Sequence, residues 1–266
     1  MKNEEIIEIN KKGWDDLIKS NKKCANTSLP DYGPFLKRNE EEINLFNDLQ
    51  NKSILDLGCA QGKSLEYLLN KGASEIWGID ISEEQIQKAK EKFPQFKDNF
   101  YISPMENEIE IPNNYFDYII SIFSIRYTSD LLKTLNNTYK YLKENGEFII
   151  SWTHPFYYCL DIVNDNVIIN KSYFSEDGEK ITKGPDKIVL AQKNLMISTI
   201  INTARQANFY LETLLEEETV LKDDVNGYKS TFWRKEKTEN CPSTNIFKFK
   251  SRFTVLLPWN LLLKQL

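Results

Sequence analysis

The chain has 266 residues, 41% of them hydrophobic and 12% aromatic, which is enough to bury a sizeable core. Its net charge is −5 and its pI is about 5.3. Nucleic-acid-binding proteins usually present a basic face, whereas the Lys and Arg residues here are dispersed among Asp and Glu. The composition therefore argues against nucleic acid as a partner.

The cysteines and the apolar segments bear on the compartment. Cys24, Cys59, Cys159 and Cys241 are too widely spaced to suggest a zinc site or a disulfide framework. The first residues are too acidic for a signal peptide, and no apolar run reaches the ~20 residues of a membrane span. We therefore expect a cytoplasmic protein with reduced thiols and no membrane partner.

The first fifty residues are interpreted as an N-terminal helical cap. Residues 4–23 show the scattered apolar positions of a helix, and residues 26–38 contain the Pro and Gly of a loop. A short helix is predicted at 40–49. The main domain is then expected at 51–266.

Strands and helices alternate from Ser53 onwards. The predicted strands are 53–57, 75–79, 99–103, 116–121, 147–152, 210–215 and 245–257. The predicted helices are 63–71, the segment from the Ser82 cap to 93, 130–143 and 193–206. Repeated βα units predict an α/β fold with a mostly parallel sheet and helices on both faces. Residues 153–192, rich in aromatic and polar side chains, are interpreted as a lid inserted after the fifth strand.

The most informative segment lies around the first two strands. Gly58 and Gly62 follow the first strand, where the backbone of a glycine can approach a ligand that a Cβ would repel. A helix begins directly afterwards and offers unpaired N–H groups. Asp80, at the tip of the second strand, suits the two hydroxyls of a ribose. The pattern predicts a site for a nucleoside-containing cofactor.

Two cofactors compete for this layout. The dinucleotide pattern G-x-G-x-x-G fails twice, because Ala60 and Lys63 stand at its second and third glycine positions. The pattern acid-x-Gly-x-Gly-x-Gly fits at Asp56, Gly58 and Gly62, with Ala60 in the middle. In this respect the chain resembles the class I S-adenosylmethionine-dependent methyltransferases, specifically the type 11-like members that act on small molecules. The motifs of the resemblance extend over residues 50–215.

The resemblance implies a Rossmann-like sheet of seven strands, with strand 7 antiparallel beside strand 6. It implies S-adenosyl-L-methionine as cofactor and S-adenosyl-L-homocysteine as product. It also implies that Asp80 holds the ribose and that the 56–58 segment holds the amino acid end. The cofactor-binding residues expected on this basis are Asp56, Gly58, Cys59, Ala60, Gly62, Asp80, Ile81, Met105, Glu106 and Ser121.

The loop after the third strand departs from the family pattern. Many members carry an acidic residue and then a small one there, to hold the adenine amino group, but this chain has Ser103 and Pro104. Glu106 or a backbone carbonyl near Met105 is expected to serve instead. Met105 is also a suitable soft wall against a purine.

The catalytic and substrate-binding residues are less firmly indicated. His154 is the single histidine and follows the fifth strand, so it is a candidate general base, or else a residue that orders the lid. Methyl transfer from a sulfonium needs little beyond in-line alignment, so no base is obligatory. An aromatic cover over the site, or alternatively the core of the cap, is expected from Trp14, Tyr32, Phe35, Phe123, Tyr157, Tyr158 and Tyr173.

These features together predict a methyltransferase acting on O, N, S or C of a small molecule. Acidic residues do not cluster near the fifth strand, so no metal is expected. A protein or RNA methyltransferase, a non-catalytic cofactor-binding module and, least favoured, a nicotinamide oxidoreductase stay open as alternatives. Pairing of the chain into a homo-oligomer is also left open.

Overall fold

The computed structural model describes residues 1–20, 27–34, 36–183, 187–218, 237 and 241–251. The helices of these residues are α1 Asn3–Lys19, α2 Glu40–Ile43, α3 Lys63–Asn70, α4 Glu83–Lys92, α5 Leu131–Tyr141 and α6 Ile197–Gln206. Their strands are β1 Ser53–Leu57, β2 Glu75–Asp80, β3 Phe100–Ile102, β4 Phe116–Ile122, β5 Leu142–Thr153, β6 Leu160–Val163, β7 Asn166–Ile169, β8 Gly178–Lys183, β9 Ile188–Lys193, β10 Phe209–Glu217 and β11 Thr244–Ser251.

The main sheet has seven strands in the order β10–β11–β5–β4–β1–β2–β3. Strand β1 pairs in parallel with β2 on one side and with β4 on the other, so the strand order reverses between β1 and β4. Strand β11 is antiparallel to both β5 and β10. The predicted fold class is confirmed. Ligands of such sheets bind beyond the carboxyl ends of the strands at the reversal point, which places the site at the ends of β1 and β4.

The central strands separate two apolar cores, one on each face of the sheet. All five residues of β1 are buried, as expected for a parallel strand covered on both sides. Neighbouring residues of one strand point to opposite faces, so Ile54 packs in one core and Leu55 in the other. Ile119 and Ile120 of β4 divide in the same way. The core thereby fixes the strand ends that carry the site.

Helix α2 is much shorter than the predicted helix at 40–49. It ends at Ile43 because Asn44 takes the left-handed conformation with φ of 53°. The buried carboxylate of Glu40 then accepts the backbone N–H groups of Leu45 at 3.1 Å and Phe46 at 3.0 Å. This side chain satisfies donors that would otherwise continue the helix, so the chain leaves it after one turn.

The segment predicted as a lid contains two β-hairpins. Strands β6 and β7 form the first, and β8 and β9 form the second. Helix α1 lies against β9, where the side chain of Asn10 accepts the Ala191 N–H at 2.8 Å. The backbone at Gly13 is so close to Val189 and Leu190 that a Cβ would not fit. The N-terminal segment and the second hairpin therefore pack together.

Three further expectations concern the bounds of α6 and the last strand, membrane-spanning helices and metal-binding groups. Helix α6 begins at 197 rather than 193, because β9 extends to 193, and residues 252–257 of the predicted last strand lie outside the described part. Within the described residues, no helix is long and apolar enough to cross a membrane. Nor do acidic, histidine and cysteine side chains of that part gather into a group that would hold a metal ion.

Candidate active site

The turn after β1 requires glycine at two positions. Gly58 has φ of +81°, and a Cβ there would overlap the side chain of Ser124. Gly62 has φ of +75°, and its Cβ would lie 2.6 Å from the ring of Phe93. Both conformations are costly for any residue with a side chain. The turn therefore brings bare backbone to the carboxyl end of β1, immediately before α3.

Ala60 and Asp80 join this turn to the tip of β2. Ala60 occupies the left-handed region with φ of 47°, and its N–H donates to Asp80 Oδ2 at 2.8 Å. Asp80 Oδ1 accepts the N–H of Ser82 at 2.9 Å. Burial raises the pKa of Asp80 to about 6, although these two hydrogen bonds act in the opposite direction. Each carboxylate oxygen keeps a second lone pair for a ligand.

Asp56 lies beside this pair at the end of β1. Its side chain is buried, and Oδ1 has no hydrogen-bond partner among the described residues. Burial, reinforced by the charge of Asp80, raises the pKa of Asp56 well above its usual range. A buried carboxylate without a partner is costly, and a cationic group from a ligand would relieve that cost.

The remaining side chains of the turn line its flanks. Cys59 is buried, and a Cβ added to Gly78 would lie only 2.6 Å from its Sγ. Ile81 is half-buried directly after Asp80. Met105, in the loop after β3, also lies near the turn. A Cβ added to Gly58 would be 3.7 Å from its Cε. These three side chains supply apolar surface next to the polar ends of β1 and β2.

Glu106 is occupied by a different part of the chain. Its Oε1 accepts the Ser129 N–H at 3.0 Å and its Oε2 accepts the Thr128 hydroxyl at 3.2 Å. The Asn137 side chain also donates to its carbonyl at 3.0 Å. This network ties the loop after β3 to the start of α5. The expectation that Glu106 holds the adenine amino group is therefore revised in favour of a structural role.

Ser121 is likewise committed to the fold. Its hydroxyl donates to the Leu57 carbonyl at 3.2 Å and lies 2.5 Å from the hydroxyl of Ser124. Ser124 in turn donates to the same carbonyl at 2.5 Å. The two serines fasten the end of β4 to the end of β1, so we revise Ser121 from a cofactor contact to a residue that shapes the turn.

His154 has both ring nitrogens engaged. Its Nδ1 accepts the Phe156 N–H at 3.2 Å, which leaves Nε2 to donate to Glu216 Oε1 at 2.8 Å. Only 6% of the residue is exposed, and burial lowers its pKa despite the neighbouring carboxylate. Because neither nitrogen is available to a substrate, this arrangement favours the lid-ordering role over the general base.

Aromatic rings from several elements meet at the ends of β4 and β5. Trp152 lies 5.2 Å from the ring of Phe123 and 5.2 Å from that of Tyr127. Trp14 of α1 contacts Tyr127 edge-on at 5.1 Å. Phe123, like Ala60, has a positive φ, of 57°. Trp14 and Phe123 were expected in the aromatic cover, whereas Tyr127 and Trp152 were not, because they lie within otherwise ordinary strand and loop patterns.

Other members of the expected aromatic cover lie elsewhere. Tyr32 is fully buried and donates to Glu40 at 2.6 Å, so it belongs to the core rather than to a substrate surface. Tyr157 is fully buried beneath the Lys237 ammonium, and Tyr173 packs against Phe174. Phe35 lies outside the described residues. Tyr158 does join the cluster, through Arg126.

Arg126 and Asp15 complete the surroundings of the site. The guanidinium carbon of Arg126 lies 4.2 Å from the ring centroid of Tyr158 and 5.2 Å from that of Trp152. Asp15 of α1 accepts the Ser82 hydroxyl at 2.6 Å, next to Asp80. A charged residue within the otherwise apolar segment shortly after the fourth strand was a usable signal for Arg126, whereas nothing in the α1 pattern distinguishes Asp15.

Comparison with known proteins supports the reading of this turn. Residues 55–150 match the family model described as "Methyltransferase domain". A relative from Haemophilus influenzae, called an uncharacterized protein, is 30% identical over 194 residues, which are 68% of this chain and 75% of that protein. The malonyl-[acyl-carrier protein] O-methyltransferase of Acetivibrio thermocellus is 31% identical over 146 residues. Those residues are 53% of this chain but 46% of that relative.

Solved structures share the fold at low sequence identity. A chain from Listeria monocytogenes superposes with a TM-score of 0.65 at 20% identity, covering 80% of this chain and 97% of that one. The S-adenosylmethionine-dependent methyltransferase of Mesorhizobium loti gives 0.61 at 19% identity, covering 78% and 94%. The chain belongs to the class I S-adenosylmethionine-dependent methyltransferases.

Proposed function

We propose that this methyltransferase acts on O, N, S or C of a small molecule. The observation that carries the proposal is a cover of loop and aromatic side chains over the carboxyl ends of the parallel strands, where the candidate site lies. The 27–34 loop approaches it so closely that a Cβ on Gly33 would lie 2.6 Å from Phe123 and 3.1 Å from Thr244 Oγ1. Trp14 of α1 adds to the same cover. A folded or helical polymer needs an open groove, whereas a small acceptor fits beneath such a cover.

The relatives are consistent with small acceptors. Phosphoethanolamine N-methyltransferase 2 of Caenorhabditis elegans is 23% identical over 198 residues. These residues are 73% of this chain and 44% of that protein, so the relative is much the longer of the two. A ubiquinone/menaquinone biosynthesis C-methyltransferase of Rickettsia bellii is 32% identical over 107 residues. The net charge of −5 also disfavours nucleic acid as the acceptor.

The residues of the turn suit the parts of the cofactor. We assign the unpartnered Oδ1 of Asp56 to the ammonium of the amino acid end, because that cation would restore the buried carboxylate to its charged form. Asp80 would accept hydrogen bonds from the ribose hydroxyls through its remaining lone pairs. Ile81 and Met105 would flank the adenine. When bound, the cofactor supplies an electrophilic methyl group on a sulfonium.

The chain's own contribution to the reaction is mainly positioning. Aromatic faces at the ends of β4 and β5 exclude water and attract positive charge, and Phe123 and Trp152 pack together there. Holding an acceptor atom in line with the methyl group lowers the activation barrier, because the acceptor has already lost its translational entropy on binding. Because both nitrogens of His154 are bonded within the protein, an acceptor proton is expected to leave to water.

A methyl-labelling experiment tests the acceptor class. The protein would be incubated with radiolabelled S-adenosylmethionine and either the low-molecular-mass filtrate or the macromolecular fraction of a cell extract. We expect label to appear in small products from the filtrate and to disappear with Asp80→Ala. Label confined to protein or nucleic acid in the macromolecular fraction would contradict the proposal.

A further inference from the structure

Among the described residues, no carboxylate forms a hydrogen bond or salt bridge with the buried guanidinium of Arg126. The charge of Glu179 acts on it from a distance, but that carboxylate is bonded to Lys171 and Gln192. Arg126 lies in the short turn after β4 and is 1% exposed. Its Nε donates to the carbonyl of Lys193 and its Nη2 donates to Asn194 Oδ1 at 2.8 Å. Both acceptors are neutral, and Nη1 has no partner among the described residues. Buried charges are normally paired, because an unpaired one destabilises the folded protein.

Arg126 lies at the carboxyl ends of β4 and β5, beside the candidate active site. Its guanidinium contacts the face of Trp152, which also packs against Phe123. Ser124, two residues earlier, fills the space beside Gly58 in the cofactor turn. The loop that borders the cofactor site therefore also carries the unpaired cation.

Two further side chains at this end of the sheet have buried polar atoms without partners among the described residues. The indole Nε1 of Trp152 and both amide atoms of Asn245 are buried without hydrogen bonds among the described residues. Asn245 stands directly opposite Trp152 in the β5–β11 pairing, so their side chains lie on the same face of the sheet. A buried polar group left without a hydrogen bond destabilises the folded protein. The concentration of such groups at the ends of β5 and β11 indicates a ligand.

The chemistry of these groups selects the kind of ligand. A guanidinium, an indole N–H and an amide NH₂ are all donors, and a carboxylate offers about four acceptor positions on two oxygens. A single cation balances a single negative charge, which favours a carboxylate over a doubly charged phosphate. Burial lowers the pKa of the Arg126 guanidinium from its ordinary value, yet the group stays charged in proteins.

We propose that Arg126, Trp152 Nε1 and the Asn245 amide bind a carboxylate group of the methyl acceptor. This inference rests on the proposed function, since it assumes a small acceptor beneath the cover. It narrows the substrate class to organic acids held by their carboxylate. The alternative is that Arg126 merely fastens the turn after β4 to the chain following β9, through Lys193 and Asn194.

The test uses protein saturated with S-adenosylhomocysteine, whose binding is measured first. Hexanoate, benzoate and succinate are then titrated beside hexanamide, benzamide and succinamide, and dissociation constants are obtained by calorimetry or ligand-observed NMR. We expect at least one acid to bind roughly tenfold or more tightly than its amide, as for a hydrogen bond to a charged group. We expect Arg126→Gln to remove this preference and Arg205→Gln, the same change on an exposed part of α6, to retain it.

A second variant guards against misfolding of Arg126→Gln. Asn245→Asp keeps the side-chain shape and leaves Arg126 in place, but its charge should repel a carboxylate and weaken binding by about tenfold. Equal binding of acids and amides, no binding of any acid, or full acid binding by both variants would overturn the carboxylate site while the cofactor assignment stood. Failure of S-adenosylhomocysteine itself to bind would overturn the proposed function and this inference together.

Discussion

The carboxylate of Asp80 accepts a hydrogen bond from the backbone N–H of Ala60 at 2.8 Å. This contact joins the tip of β2 to the turn after β1, so the two sequence signals form one structural unit. It also holds Ala60 in a left-handed conformation that glycine usually occupies. The substitution of the middle glycine by alanine is thus stabilised by the acid that is proposed to hold the ribose.

Replacing Asp56 by Asn should separate function from stability. The buried carboxylate lacks a partner at Oδ1, and its raised pKa indicates that its ionised form destabilises the unliganded protein. Asp56→Asn should therefore raise the melting temperature while weakening S-adenosylmethionine binding about tenfold or more. Calorimetry and thermal denaturation measure both quantities, with Asp98→Asn, on the exposed surface, as the matched control. Unchanged affinity would show that Asp56 does not meet the ligand.

Cofactor affinity should fall in mildly acidic solution. Asp80 has a pKa of about 6 in the unliganded protein, and ribose hydroxyls donate best to its ionised form. Binding of S-adenosylhomocysteine should weaken as the pH falls through 6, because Asp80 takes up a proton there, while Asp56, whose pKa is also raised, adds a pH dependence of its own. Because the raised pKa means that the folded protein binds this proton more tightly, Asp80 should make the unliganded protein relatively more stable over the same fall. Titrations at several pH values, with Asp80→Ala expected to give a flatter profile, would show whether this carboxyl is responsible.

Gly62 and Ala60, two of the three positive-φ positions of the turn, should respond differently to substitution. Gly62→Ala places a Cβ 2.6 Å from the Phe93 ring and in the left-handed region, so it should destabilise the fold by about 1–2 kcal/mol or more. Ala60→Gly relieves a strained conformation and should be neutral or mildly stabilising. Denaturant unfolding measures both, and equal destabilisation by the two changes would be inconsistent with this description of the turn.

His154→Asn should have a modest effect on turnover. The ring is neutral near pH 7 because burial lowers its pKa, and both of its nitrogens are bonded to the protein. We expect turnover to fall less than about tenfold, the pH–rate profile to keep its shape, and stability to drop by about 1 kcal/mol. A loss of about a hundredfold or more, with a limb of the profile removed, would instead identify His154 as a general base.

Local patterns were sufficient to predict the framework of the sheet. The first strand was placed at its observed bounds, 53–57, because a continuous apolar run ahead of a glycine turn is typical of a central parallel strand. The antiparallel last strand followed from the family resemblance rather than from the residues. The short α2 was missed because its end depends on the buried Glu40 carboxylate, which the helical pattern does not reveal.

The site could be predicted from the sequence only where a short local motif identifies its residues. Gly58, Gly62 and Asp80 occupy recognisable positions on consecutive elements, and the fold brings them together. Glu106, after the third strand, and Ser121, near the end of the fourth, were assigned to the cofactor because they lie at the correct edge of the sheet. Their hydrogen-bond partners come from other segments, Ser129 ahead of α5 and Leu57 at the end of β1. Trp152 and Asn245 meet only through the β5–β11 register, a long-range pairing that a single sequence does not specify.

The central claim is that the turn after β1, together with Asp80, binds S-adenosylmethionine. Calorimetric titration of the purified protein with S-adenosylmethionine, S-adenosylhomocysteine and NADH tests it directly, with Asp80→Ala and the neighbouring exposed Glu83→Ala as a matched pair. We predict micromolar binding of the first two ligands, retained in Glu83→Ala and weakened at least about tenfold in Asp80→Ala. Binding of NADH instead, or equal affinities in both variants, would contradict the account.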